Sequence, residues 1–450
     1  MHRLSLTLMA ALATAVLPVH ARPQQSVPPR LDRMATTMVD AGVAPALVAV
    51  VVDHGHVSIH GYGKLPDGRA PDADTVFELG SLSKTFTALL LARELKQGKA
   101  SLDTPVGQWL PGWSIPSLHG KAITLGLLAE QYSGLPRVPG NLAPTAPTDP
   151  YADYGADKLK RFLAGYTLPR EPGAHYEYSN LGFGLLGYAL ARHASLGYGA
   201  LLQRDVLQPL GMQHTGVTAP TKGARLAPGH GPDGAPAPAW HWRDALAGAG
   251  AMLSDGRDMA IYLQASMGTK STPLAAAIRL AQQPRRDAGP LGRIGLAWMT
   301  TPSADGDVVW HNGATGGYSS FIGLNASHQY GVVLLANGYA SNLLTGVGLA
   351  SLSSALPMPP LQVLPEATLE QYVGRYVLAP GMVFTVSRRG RQLYAQLTGQ
   401  PALPVFASAS DRFSYTAVQA ALDFQRDARG RVVALVLHQN GQSRRAPRTP

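Results

Sequence analysis

Two apolar runs, residues 46–52 and 56–62, flank Asp53-His54-Gly55. The pattern predicts strand, turn and strand, with Pro45 just ahead of the first. Residues 81–95, rich in Leu, Ala and Lys, predict a helix. A second helix is expected after Thr124, its N-cap, and stops near Ser133-Gly134-Leu135-Pro136. Residues 137–150 form a long Pro-rich loop, a length at which loops are often functional. A helix follows at 181–193, and 218–240 is again loop-like. Three strands are expected in succession at 307–312, 318–325 and 330–337, the last two joined as a hairpin by 326–329. A helix over 341–356 packs back. Strands thus come from both ends of a region with a helical middle, which predicts a mixed α/β layer architecture rather than a βαβ repeat.

After Met358-Pro359-Pro360, a linker, the pattern changes. Short β runs at 375–378, 383–387, 393–397, 404–407, 413–417, 421–425 and 432–438 predict a small antiparallel barrel or sandwich. At the other end, His2 and Arg3 precede an apolar run over 4–19, and Val19-His20-Ala21 resembles a cleavage site. The run is shorter than the roughly 20 residues needed to span a bilayer. The expected plan is a signal peptide at 1–21, a catalytic domain at 22–357, a β domain at 361–450, and export to the periplasm without a membrane span.

Composition narrows the chemistry. The 450 residues contain no cysteine, which excludes disulfides, a thiol nucleophile and Cys-ligated metals. The formal net charge is +10, and 361–450 hold eleven arginines against five acids. Those arginines are scattered and do not alternate with stacking aromatics, so no nucleic-acid partner is expected. A solvated basic face is the plain reading, and contact with an anionic envelope the functional one. Gly182-Phe183-Gly184-Leu185-Leu186-Gly187 has Gly-x-Gly-x-x-Gly spacing but follows no strand, which argues against dinucleotide binding. His54, His56 and His60 straddle a turn without carboxylates; no metal or cofactor is expected. Trp240-His241-Trp242 is expected in core packing rather than in a cleft.

The sharpest chemical signal is Phe77-Glu78-Leu79-Gly80-Ser81-Leu82-Ser83-Lys84. Three residues turn a helix through about 300°, so Ser81 and Lys84 share a face. An amine there takes the serine proton if burial lowers its pKa. Tyr178-Ser179-Asn180 adds a general acid or base and an amide that can hold a substrate. His311-Asn312-Gly313-Ala314-Thr315-Gly316-Gly317 closes a strand with small residues, where a substrate backbone can run alongside. The N–H groups of Ser81 and Ala314 are candidates for an oxyanion hole.

The set Ser81-x-x-Lys84, Tyr178-x-Asn180 and His311-x-Gly313 resembles the motifs of the class C β-lactamase and D-Ala-D-Ala peptidase family of penicillin-recognising serine hydrolases. Lesser matches are Ser133-Gly134-Leu135-Pro136, Gln208-Pro209-Leu210-Gly211-Met212 and Ala314-Thr315-Gly316-Gly317, and together they cover residues 30–357. The resemblance implies an antiparallel sheet flanked by helices, a helical lobe with the site between them, and a lipocalin-like β tail. It implies Ser81 as nucleophile, Lys84 and Tyr178 sharing proton transfer, Asn180 holding the substrate amide, and His311 orienting a substrate carboxylate. His-Asn-Gly departs from the Lys-Thr-Gly usual in β-lactamases of this class; the Asn312 amide is the expected substitute for the missing hydroxyl. Gln131-Tyr132 replaces His-Thr before Ser133-Gly134, a departure expected to be structural. The implied substrate is a β-lactam, with a D-Ala-terminated peptide or an ester as alternatives. A non-catalytic penicillin-binding sensor is the alternative of another class.

Overall fold

The computed structural model describes residues 27–218 and 225–449. The expected leader, 1–21, lies outside the described residues, as does part of the loop 218–240. Six helices place the site: α1 (Pro29–Asp40), α2 (Ser83–Lys96), α3 (Asn180–His193), α4 (Asp244–Gly250), α5 (Gly256–Met267) and α6 (Ser341–Leu352). The strands around them are β1 (Ala46–Asp53), β2 (His56–Gly63), β3 (Thr75–Glu78), β4 (Arg286–Asp287), β5 (Arg293–Ile294), β6 (Met299–Thr301), β7 (Val308–Ala314), β8 (Ser319–Asn325) and β9 (Tyr330–Ala336).

All but β3 form one antiparallel sheet in the order β4-β5-β6-β7-β8-β9-β1-β2. β1, met early in the chain, is thus inserted beside β9, met late. Its alternation explains the layers. Val48, Val50 and Val52 pack in one core with Met259 and Leu263 of α5. Leu47, Ala49 and Val51 pack in a second core with Leu31 and Met38 of α1 and Leu344 and Val347 of α6. Both faces being covered, β1 is apolar almost throughout.

The helical lobe holds the three glycines of the Gly-x-Gly-x-x-Gly run, and two of them, Gly184 and Gly187, serve a helix crossing. A Cβ on Gly187 would come within 2.8 Å of Gly248 Cα in α4, and one on Gly184 within 2.5 Å of the Leu246 side chain. Small residues let α3 and α4 pack backbone against backbone.

The tail is a closed barrel of eight antiparallel strands, from Gly374–Ala379 to Gln442–Thr449. Seven of the eight were expected; the last, with a burial pattern of one inward residue (Ala446), carries almost no apolar signal. Tyr372, Tyr376, Phe384, Phe413 and Phe424 fill the interior. Phe406 faces the other way and joins the core shared by α1 and α6, so the barrel packs on the mixed domain. Several tail arginines are neutralised locally: Arg388 by Glu366 and Glu370, Arg412 by Asp423, Arg426 by Asp411 and Arg431 by Asp427. Among the described residues, no helix is long and apolar enough to cross a membrane.

Candidate active site

β3 ends at Glu78, and the chain enters α2 through a 3₁₀ turn, Gly80–Leu82, that holds Ser81. Ser81 is therefore in the turn before the helix rather than in the helix. In a 3₁₀ turn, residues three apart eclipse, which places Lys84 directly behind the serine. Gly80 has φ +52°, and a Cβ there would fall 2.5 Å from the Ala314 carbonyl oxygen. On the other side of this contact, a Cβ on Gly313 would fall on the Leu79 carbonyl oxygen. Both glycines are needed because the Ser81 turn and the end of β7 touch through their backbones.

Lys84 is fully buried. Its Nζ lies 3.0 Å from Ser81 Oγ, 2.8 Å from Asn180 Oδ1 and 2.7 Å from the Ala249 carbonyl oxygen. Burial, aided by the Arg137 charge, pushes the amine well below the ordinary lysine range. Two of its three neighbours are carbonyl oxygens, which only accept. They take both protons of a free amine and leave its lone pair facing the Ser81 hydroxyl. The arrangement suits proton removal from Ser81.

Tyr178 and Asn180 are set by the start of α3. Ser179 caps that helix, its hydroxyl accepting the Gly182 N–H at 2.8 Å. Gln131, at φ +62°, holds the approach: its side-chain oxygen accepts the Ser179 N–H at 2.7 Å and its carbonyl accepts the Glu177 N–H at 2.8 Å. The expected structural role of the Gln131 departure thus becomes a specific one. The Tyr178 ring centre lies 4.9 Å from Lys84 Nζ. Burial pushes the Tyr178 phenol well above its ordinary value, and its hydrogen bond with Ser81 pulls the other way. A phenol so placed keeps its proton and is suited to donate it.

The third motif contributes unevenly. Thr315 N–H donates to the Tyr318 carbonyl at 3.0 Å. By the alternation of an antiparallel ladder, the Ala314 N–H then points away from β8, on the edge that β6 leaves unpaired beyond Trp310. The structure brings His311 and Gly313 to the side of the Ser81 turn. His311 is buried, with Nδ1 2.6 Å from the Asn312 carbonyl oxygen. Burial and the Lys84 charge push it down to about 3, so the imidazole is neutral near pH 7. Asn312 points elsewhere. Its amide donates to Thr345 Oγ1 at 2.8 Å and to Ser341 Oγ at 3.4 Å, both on α6. Asn312 therefore does not stand in for the missing hydroxyl of the third motif: strand alternation turns it to the opposite face from Gly313.

Sequence reasoning passed over Glu78 and Thr315. Buried Glu78 accepts the Trp240 N–H at 2.6 Å and the Thr315 hydroxyl at 2.6 Å, tying β3 to two loops beside the site. Trp242 stacks on Tyr151 with ring centres 4.0 Å apart, so the Trp240-His241-Trp242 segment is aromatic packing around that tie. Burial pushes the Glu78 carboxyl up to about 7 from 4.5. The folded state then binds more protons than the unfolded one between these values, and stability falls as pH rises through that window. Glu78→Gln removes the charge and keeps the shape. Its Tm relative to the parent should be higher at about pH 8 than at about pH 5; a constant or reversed offset would contradict this.

Asp74, His214 and Asp255 bring donor atoms within 4.8 Å of one another. Arg257 is ion-paired with Asp74 and the His214 ring nitrogen is hydrogen-bonded to Asp255, so each of the three side chains already has a partner.

Comparison with known proteins agrees with this geometry. Residues 31–346 match the Beta-lactamase family, and 359–446 match a domain of unknown function, DUF3471. Penicillin-binding protein 4* of Bacillus subtilis is 24% identical over 429 residues, covering 86% of this chain and 91% of that protein. The D-alanyl-D-alanine-carboxypeptidase/endopeptidase AmpH of Escherichia coli is 29% identical over 191 residues, which is 42% of this chain and 49% of that one. The crystal structure of a class C beta lactamase from Rhodobacter sphaeroides superposes with a TM-score of 0.59 at 27% identity, covering 68% of this chain and 93% of its own. The turn that seats Ser81 over Lys84, the capped Tyr178-x-Asn180 segment and the family match over 31–346 together establish that the chain belongs to the beta-lactamase family of penicillin-recognising serine hydrolases.

Proposed function

We propose that the chain is an exported hydrolase that opens the amide of a β-lactam through an acyl-enzyme on Ser81. The observation that carries the reading is the Lys84 amine, wedged between two carbonyl oxygens with Ser81 Oγ 3.0 Å away. Ser81 Oγ bonds to the carbonyl carbon as its proton passes to Lys84. The N–H groups of Ser81 and Ala314 receive the oxyanion. Tyr178 gives its proton to the leaving nitrogen as the C–N bond breaks, and is reprotonated from Lys84. Water then attacks the Ser81 ester, its proton passing through the same pair to Ser81 Oγ as the Oγ–C bond breaks, and the acid product leaves. Asn180 spends its oxygen on Lys84 and one amide N–H on the Tyr151 hydroxyl, which leaves the other N–H for the substrate. His311 shapes the far wall as a neutral ring. In this reading residues 1–21 direct export to the periplasm, 22–357 form the catalytic domain and 361–450 the accessory one.

A second reading is a D-Ala-D-Ala peptidase or an esterase. The neutral His311 and the averted Asn312 favour it, since neither supplies the charge and hydroxyl that Lys-Thr would. Purified protein offered a chromogenic cephalosporin, a D-Ala-D-Ala peptide and a short-chain ester separates them. The cephalosporin should be hydrolysed with turnover. Turnover of the peptide alone would remove the β-lactamase reading, and acylation without release would make the protein a sensor.

A further inference from the structure

Arg137 stands at the site, yet the acyl-transfer scheme gives it no part. Its carbonyl oxygen accepts the N–H of Asn180 at 2.9 Å and of Leu181 at 3.3 Å. The preceding carbonyl, of Pro136, accepts the Ser179 hydroxyl at 2.6 Å. The backbone at Arg137 is thus fastened to the segment that carries Tyr178 and Asn180. The side chain is exposed, and its guanidinium carbon lies 5.0 Å from the centre of the Tyr178 ring. Lys84 Nζ approaches the same ring at 4.9 Å.

The guanidinium has no counter-ion among the described residues. Glu177, next to Tyr178, is paired with Arg170 instead. The Arg137 charge reaches into the site all the same: it acts on Lys84, Tyr178, Tyr176 and Tyr151, lowering the proton affinity of each. A guanidinium lying over a ring engages the ring with its face and leaves its N–H fork free at the edge. That fork matches a carboxylate, which it binds through two parallel hydrogen bonds. Positive charge is otherwise scarce here, because burial holds both Lys84 and His311 toward their neutral forms.

We propose that Arg137 is the residue that receives a carboxylate of the substrate, so that the site selects acyl donors bearing an anionic group close to the scissile carbonyl. The proposal rests on the acyl-transfer reading of Ser81. It replaces the third motif, where the family resemblance would put this contact, with a residue on the opposite wall of the site.

The test uses esters carrying a carboxylate on either the acyl or the leaving side, each paired with its own methyl ester, and the full-length protein. In the parent, kcat/KM should favour the carboxylate in at least one pair. Arg137→Ala should reduce that preference by about 10- to 100-fold, mainly through KM. Arg137→Lys should restore part of it, and added salt should weaken it in the parent. An unchanged preference in both pairs would overturn the proposal. So would an equal loss on acid and methyl ester with a shifted pH profile, which would make Arg137 a tuner of Tyr178. The underlying reading fails separately, by Ser81→Ala retaining hydrolysis of these esters.

Discussion

Ser81→Ala is expected to lower kcat/KM on every hydrolysed substrate by about 10⁴- to 10⁶-fold, with an unchanged Tm. The loss is this large because no other nucleophile can replace it. The chain has no cysteine, and Ser83, one residue beyond Leu82, is buried with its hydroxyl accepting the Met252 N–H at 3.0 Å. Residual rate would come from the Ser81 and Ala314 N–H groups, which the substitution leaves in place. The fold should tolerate it. Ser81 is only half-buried, and the turn around it is held by Gly80 and Gly313 against β7. Steady-state kinetics beside a thermal melt separates loss of chemistry from loss of structure. Retention of more than a small fraction of activity would remove Ser81 from the mechanism.

The second large effect is at Lys84. Lys84→Met keeps the length and apolar stem and removes the amine; it should cost about 10²- to 10⁴-fold in kcat. Lys84→Arg is the sharper comparison. A guanidinium keeps its proton at any working pH, so it supplies charge without basicity. If Lys84 works as a base, Lys84→Arg should be as slow as Lys84→Met. If instead it works as a fixed cation, Lys84→Arg should recover much of the rate, and the lone-pair argument would be wrong. Lys84→Met leaves the Ala249 and Asn180 carbonyl oxygens short of a donor, and Lys84→Arg puts a larger head in the same buried space, so each must be shown to fold by its melt.

The three motifs were legible in the sequence because each is a short-range pattern. Ser81 and Lys84 are three residues apart, Tyr178 and Asn180 two, and small residues mark the end of β7. Strand pairing of the late hairpin was legible for the same reason: β8 and β9 are two short, mostly apolar runs that pair in register across 326–329. What the sequence hid depends on contacts between distant segments. Gln131 and Arg137 act through backbone hydrogen bonds to 177–181, and no spacing rule announces such bonds. Glu78 sat inside the recognised signature, but its partners Trp240 and Thr315 arrive from two separate loops. Helix α4, Asp244–Gly250, is built of Ala and Gly and has no amphipathic stripe; it is helical because α3 offers glycines to pack against. The last barrel strand, Gln442–Thr449, has two arginines and a proline near its middle. It is a strand because seven others leave an edge that it closes. Asn312 shows the opposite error, in which the family resemblance implied a substrate contact and strand alternation turned the side chain to α6.

The central claim is that Ser81 carries the acyl group. Intact-protein mass spectrometry after brief exposure to a β-lactam, followed by peptide mapping, tests it directly. The account predicts a mass increase equal to the whole β-lactam, located on the peptide containing Ser81, absent in Ser81→Ala and disappearing with time as water releases the product. An adduct on another residue, or one that persists in Ser81→Ala, would contradict it.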